Sequence, residues 1–191
     1  IPGDFVLDLA VGDNLACVAA GSGLTVIDLA DPADPVLTGT LDLKAGLHRV
    51  LEILGRHHGA VRSTVVLLDE DTGQLQVEAS DGLDRPGYRV SYQLGEGITG
   101  RVVESGKPIV VPQISREPMF LNRASKRSEL PQQELSFVCV PIMLNRKAVG
   151  ALGVDLKFKP DRDYDRTQKF LGVVASMISQ AIKVQRLIDN E

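Results

Sequence analysis

The sequence predicts an α+β fold: an antiparallel sheet with flanking helices, led in by a short all-β meander. Three observations carry that prediction. Residues 1–43 hold only short apolar, β-branched runs cut by Gly, Asn, Asp and Pro, the pattern of strands joined by tight turns. Residues 44–191 begin and end on segments with apolar residues at helical spacing, and strand-like and turn-like segments alternate between them. The chain of 191 residues is 43% hydrophobic and 24% charged, a globular composition that excludes a disordered or collagen-like chain. At about 150 residues per domain, this length suits one full domain and a smaller appendage.

In order, residues 5–11 form an apolar run that Gly12-Asp-Asn14 ends, and residues 15–19 form the next, ended by Gly21-Ser-Gly23. Residues 24–29 follow, then the rigid turn Asp31-Pro-Ala-Asp-Pro35, then an extended stretch from Val36 to Leu41. Leu47, Val50, Leu51 and Leu54 recur at helical spacing, which predicts an amphipathic helix over 44–58. The apolar, β-branched residues 61–68, the turn Asp69-Glu-Asp-Thr-Gly73 and residues 74–79 read as a hairpin. Residues 88–93 alternate Tyr and Val with polar neighbours, a half-buried strand. Gly95-Glu-Gly97 opens a short helix over 98–104 that Ser105-Gly106 closes, and 109–111 is a short strand. Residues 112–134 are polar and irregular, anchored by Ile114, Met119, Phe120 and Leu121. Two strands, 137–143 and 149–156, flank an Asn145-Arg146 turn. A long helix over 161–188 follows Pro160 and starts on Asp161, Asp163 and Asp165.

Charge and side-chain chemistry narrow the function. Lys and Arg total 21 against 25 Asp and Glu, a net charge of -4, so the basic footprint of a nucleic-acid binder is missing. The apolar runs fall far short of the about 18 residues a membrane span requires, and the start of the chain shows no secretory pattern. The expected location is the cytoplasm. Cys17 and Cys139 sit far apart in apolar settings and read as buried thiols. His57 and His58 end the first predicted helix, where a cation suits the helix dipole. His48, the third histidine, lies on the same helix. No catalytic set, metal site or cofactor is predicted.

Two resemblances attach to particular residues. Val26-Ile-Asp28 followed by Asp31-Pro-Ala-Asp-Pro35 resembles an LVIVD repeat, one blade of a β-propeller-like array, over about residues 4–42. A lone blade cannot bury both faces, since such arrays need about three repeats, so it must lean on the rest of the chain or on another copy. The second resemblance rests on Ser80-Asp-Gly82, on Gly95-Glu-Gly-Ile-Thr-Gly-Arg-Val-Val-Glu-Ser-Gly-Lys-Pro108 and on Ser115-Arg-Glu-Pro-Met-Phe-Leu-Asn-Arg-Ala124. Phe137-Val-Cys-Val-Pro-Ile142 and Val149-Gly-Ala-Leu-Gly-Val-Asp155 complete it. Together, over about residues 41–187, they resemble the GAF domain of nitrogen-fixation-specific, sigma-54-dependent transcriptional activators. Gly39-Thr-Leu-Asp-Leu43 is similar to that family's entry into the domain, but the β-blade stands where the family has a helix.

The resemblance implies a GAF-like fold and a regulatory, small-molecule-binding role that controls a downstream AAA+ ATPase. It also implies that the pocket takes a 2-oxoglutarate-like dicarboxylate. From the residues themselves, Gly95-Glu-Gly-Ile-Thr-Gly100 lacks the Lys and hydroxyl of a phosphate loop. Its glycines read first as a tight helix entry and second as an anion seat at a helix N-terminus. Arg116 and Arg123 bracket Met119-Phe120-Leu121. Arginines in loops usually just face water, yet two guanidinium groups around apolar anchors make a carboxylate clamp. The candidate ligand-binding residues are Gly97, Ile98, Thr99, Arg116, Phe120, Asn122, Arg123, Phe137 and Cys139.

Phe170, Val174, Met177, Ala181, Val184 and Ile188 form a heptad stripe on the last helix, with Leu171, Ala175 and Ile178 on its flank. The first turns read as core. Beyond Ala181 the helix is expected to outrun its domain and pair with a second copy in a homodimer. The resulting division is a meander over 1–43 and a sensory domain with a long signalling helix over 44–191. Two other readings are an interaction module without ligand, and a small GAF-fold reductase. The latter is weakened because Cys139 has no resolving cysteine in its domain.

Overall fold

The computed structural model describes residues 8–12, 15–20, 23–28, 36–41, 43–82, 91–117 and 134–189, with backbone alone before residue 43 and after residue 186. Strands β1 (Asp8–Gly12), β2 (Leu15–Ala20), β3 (Gly23–Asp28) and β4 (Val36–Leu41) pair antiparallel in chain order, the meander that the sequence predicts. Gly12 ends β1 and Gly23 opens β3, while Asp13-Asn14, Gly21-Ser22 and the Asp31–Pro35 turn lie outside the described residues.

The remaining elements are helix α1 (Leu43–His58), β5 (Ala60–Leu68), β6 (Gln74–Asp81), β7 (Ser91–Gln93) and helix α2 (Gly97–Ser105). After them come β8 (Ile109–Val111), a 3-10 turn at Ile114–Arg116, β9 (Leu135–Leu144), β10 (Lys147–Lys157) and helix α3 (Tyr164–Asp189). The six strands form one antiparallel sheet in the order β7-β6-β5-β10-β9-β8. Local turn chemistry fixes its hairpins. Between β5 and β6 the Asp69 carboxylate accepts from the Asp71 and Thr72 N–H groups, each at 3.0 Å. Between β9 and β10, Asn145 and Arg146 take φ of 50° and 66°, as a two-residue turn that follows the strand twist requires.

Helices α1 and α3 cover one face of this sheet and share a single apolar cluster with it, while α2 covers the other face. Helix α1 lies over β5 and β6, and α3 over β9. The four-stranded sheet packs on the far side of the same two helices: α1 touches β3 and β4, and α3 touches β1, β2 and β3. The two helices are thus sandwiched between sheets. The lone blade leans on its own chain.

This sandwich corrects one expectation. A helix packed on a single surface buries a stripe little more than 100° wide. On α3, Leu171, Ala175, Ile178 and Ile182 form one buried arc, and Met177, Ala181 and Val184 form another. The first arc turns to the six-stranded sheet, where Ser179 beside it donates to the Met143 carbonyl. Met177 and Ala181 of the second arc share an apolar cluster with that sheet and with α1, and α1 and the four-stranded sheet are the other neighbours of α3. Val184, expected to lack any local cover, is only 5% exposed; the stripe is core at least that far. The side chain of Ile188 lies outside the described residues.

Val184→Glu should therefore lower the thermal midpoint equally at low and high protein concentration, because it buries an unpaired carboxylate. A midpoint that holds while the sedimentation coefficient falls would mark Val184 as a subunit contact instead.

Candidate functional site

The face under α2 gathers most of the residues singled out in the sequence. The local sequence explains how α2 is placed there. Gly95 and Gly97 take φ of 77° and 60°, where only glycine is unstrained, so the chain turns from β7 into the helix within a few residues. Glu96 caps the turn in an extended conformation, and its carboxylate accepts the Gln93 N–H at 2.8 Å. The first helical bond runs from the Gly100 N–H to the Glu96 carbonyl at 3.0 Å. A Cβ on Gly100 would stand 2.4 Å from the Gln93 carbonyl oxygen, so this glycine lets α2 sit directly on the end of β7. Gly106, in the left-handed region, closes the helix by donating to the Val102 carbonyl at 2.9 Å. The helix-entry reading of the motif holds.

Beneath α2, Ile98, Val102 and Val103 close over Val66 of β5, Tyr92 of β7, Phe137 and Cys139 of β9 and Ala151 of β10. The Phe137 ring crosses Gly153, 2.9 Å from where a Cβ would stand. Cys139 is completely buried. Loss of solvent pushes its thiol up to about 12, although a hydrogen bond from the Thr99 side chain pulls the other way. It is a protonated thiol at neutral pH, the opposite of the depressed pKa that a reactive cysteine needs.

Gly97, Ile98 and Thr99 thus form the first turn of α2, and Phe137 and Cys139 the strand below it. Arg116 is exposed on the 3-10 turn. Its neighbour Ser115 donates to Glu134 through both hydroxyl and backbone N–H, at 2.7 and 3.2 Å. Those bonds, with a smaller contribution from the Arg116 charge, hold the Glu134 carboxyl below the usual range. Arg116 therefore already faces a carboxylate of its own chain. Phe120, Asn122 and Arg123 lie outside the described residues.

Sequence reasoning missed one feature of this face. Arg62 on β5 stands opposite Asp155 on β10, and the two form an ion pair of 2.9 Å with side chains only 5% and 6% exposed. Strand alternation puts Arg62, Thr64 and Val66, and likewise Ala151, Gly153 and Asp155, on the α2 side. The signal was an Arg and an Asp inside otherwise apolar strand segments. A second polar cluster ties the neighbouring strands to α3. The Ser136 hydroxyl donates to the Pro112 carbonyl at 2.7 Å and lies 2.8 Å from the Tyr164 hydroxyl. Among the described residues no group of three or more His, Cys, Asp or Glu could hold a metal ion, and no helix is long and apolar enough to cross a membrane.

A six-stranded antiparallel sheet with two helices on one face and a short glycine-entered helix on the other is the architecture of GAF-type α+β domains. The chain belongs to the GAF domain family, whose model matches residues 40–183, and the LVIVD repeat model matches residues 4–42. It is 35% identical over 168 residues to the nitrogen fixation protein VnfA of Azotobacter vinelandii, covering 86% of this chain and 32% of that protein. It is equally 35% identical over 159 residues to the Nif-specific regulatory protein of Azospirillum brasilense, covering 82% of this chain and 25% of that protein. The chain thus spans between 25% and 32% of the length of these two relatives. Among solved structures, the A. aeolicus nlh2 GAF domain in an inactive state superposes with a TM-score of 0.70 at 22% identity, covering 78% of this chain and 89% of that one. The free methionine-R-sulfoxide reductase of Neisseria meningitidis shares the fold at a TM-score of 0.64 and 19% identity, covering 77% of this chain and 81% of that one.

Two outcomes follow from the site. In a Cys17→Ser background, Cys139 should react with a thiol reagent orders of magnitude more slowly in the native chain at pH 8 than in denaturant, measured by mass spectrometry. Asp155→Asn should cost about 3–5 kcal/mol in urea unfolding by leaving Arg62 buried without its carboxylate, and Arg62→Met with Asp155→Leu should recover most of that loss.

Proposed function

We propose that this chain is the regulatory, small-molecule-binding GAF domain of a nitrogen-fixation-type transcriptional activator, controlling an AAA+ ATPase that lies outside these 191 residues. The observation that carries the reading is the 35% identity to a Nif-specific regulatory protein over 82% of the chain. In this reading the chain divides at residue 43. Residues 1–43 brace α1 and α3, and residues 44–191 sense the effector in the cytoplasm, with no contact to nucleic acid or membrane.

The effector is a 2-oxoglutarate-like dicarboxylate seated at the α2 face. Gly97, Thr99, Arg116, Phe120, Asn122 and Arg123 contact it, and Ile98, Phe137 and Cys139 form the wall. The free N–H groups at the start of α2 favour an anion there. Strand β9 carries the message: it holds Phe137 and Cys139 and is hydrogen-bonded to α3 through Ser136 with Tyr164 and through Met143 with Ser179. Homodimerisation then uses the end of α3 beyond Arg186. A reductase would need Cys139 as a thiolate, which its burial opposes. An interaction module that displays the β-blade would have only the surface of that sheet not already packed on α1 and α3.

Calorimetric titration with 2-oxoglutarate tests the proposal. A charged hydrogen bond in a partly buried site contributes roughly 1.5–3 kcal/mol, so Arg123→Ala should weaken binding at least about tenfold. Arg127→Ala, in the polar run after it, should change binding little. Equal losses from both, or no binding of any dicarboxylate, would overturn the assignment.

A further inference from the structure

At the end of the six-stranded sheet that carries the β5–β6 and β9–β10 turns, a groove of about 380 Å³ opens beside the last turn of α2. Two large apolar side chains left in water, Leu94 at 44% and Met143 at 37% exposed, line it with Leu68. Isolated apolar residues on a surface mean little, but two that share one groove mark a place where something docks. On the β9–β10 side the groove is bounded by Arg146 and Lys147. Among the described residues neither cation has an ion pair or a side-chain hydrogen bond. Glu104, the acid of the lining, stands on the β7 side, where its carboxylate lies 3.1 Å from the position a Cβ on Gly95 would take. The groove is therefore polarised, with its positive end at the β9–β10 turn.

Helix α3 runs to this same end on the opposite face of the sheet. Tyr164 meets Ser136 near the start of β9, and Ser179 meets the Met143 carbonyl near its finish. Arg186 then reaches Glu70 in the β5–β6 turn at 3.1 Å. Asp189 lies ten residues past Ser179, about 15 Å further along the helix. The last residues, Leu187-Ile-Asp-Asn-Glu191, combine two apolar side chains with two acids. That is the complement of Leu94 and Met143 with Arg146 and Lys147. The helix holds its course to Asp189, so Leu187 and Ile188 cannot turn round the sheet into the groove of their own chain.

We propose that this groove receives the end of α3, Leu187 to Glu191, from a second copy of the chain. Leu187 and Ile188 cover Leu94 and Met143, the apolar face of a helix in a groove. Asp189 and Glu191 meet Arg146 and Lys147, and Glu104 sets the direction by repelling the acidic end from the β7 side. Groove and occupant lie at one end of the molecule, so a two-fold axis there lets each copy fill the groove of the other. The proposal rests on the reading that the end of α3 makes the homodimer, and it names the surface that end meets.

Disulfide trapping in the full chain, in a Cys17→Ser background, is the first test. A Met143→Cys chain mixed with an Ile188→Cys chain should give a covalent dimer of one of each, and Ile188→Cys alone should link at least about tenfold more slowly, its Cα atoms being too far apart. Charge reversal is the second. Arg146→Asp with Lys147→Glu should raise the dimer dissociation constant in sedimentation at least about tenfold, and Asp189→Lys with Glu191→Lys should do the same. All four together should restore most of the affinity. A wild type that stays monomeric at about 100 μM would overturn both this proposal and the homodimer reading. A dimer that Ile188→Cys links to itself, and that ignores reversal of Arg146 and Lys147, keeps the homodimer with α3 against α3 and overturns the groove. Failure of the four combined substitutions to restore association would also overturn it.

Discussion

Strand β10 has neither face open to water. Every residue from Ala148 to Leu156 is buried, and the strand pairs with β5 on one side and β9 on the other. A strand in that position obliges the chain to supply cover twice, once from α1 and α3 and once from α2, because apolar surface left in water costs about 25 cal/mol per Å². Both apolar clusters are anchored on it: Leu152, Val154 and Leu156 enter one, Ala148 and Ala151 the other. The bulge between Ala148 and Gly150 lets Val149 join the helix side while Ala148 stays on the α2 side. Strand β10 is therefore the floor of both clusters, seen from opposite faces.

What was legible in the sequence was local. The glycine entry to α2, the Asn145-Arg146 turn and the strand runs depend on residues within a few positions of one another, and the structure has them where turn chemistry puts them. The heptad stripe of α3 was legible as a pattern but not as a contact. A period of 3.5 says that a face is covered, not by what, and here the cover includes strands that enter the chain more than a hundred residues earlier. Arg62 and Asp155 were illegible for a related reason. Each is one charge in an apolar strand, and only the cross-strand register makes them a pair.

Cys139 illustrates how burial overrides residue identity. A thiol is a nucleophile by its chemistry, but beneath α2 it packs as a small apolar group beside Phe137 and Ala151. The polar links that matter on the same strand are quieter ones. Ser136 and the Met143 carbonyl fasten β9 to both ends of its contact with α3, so the strand and the helix move together or not at all. Fully satisfied buried hydrogen bonds of this kind define a unique arrangement more than they add stability.

The four-stranded sheet has a consequence for synthesis. Its hairpins join neighbours in sequence, so β1 to β4 can pair as soon as they are made. The surface on which they rest belongs partly to α3, which follows β4 by more than a hundred residues. Between those two moments the sheet exists with an uncovered face and free edges, which are templates for pairing with other chains. The sheet must therefore wait for α3, and that interval, set by the speed of translation, leaves it exposed to aggregation.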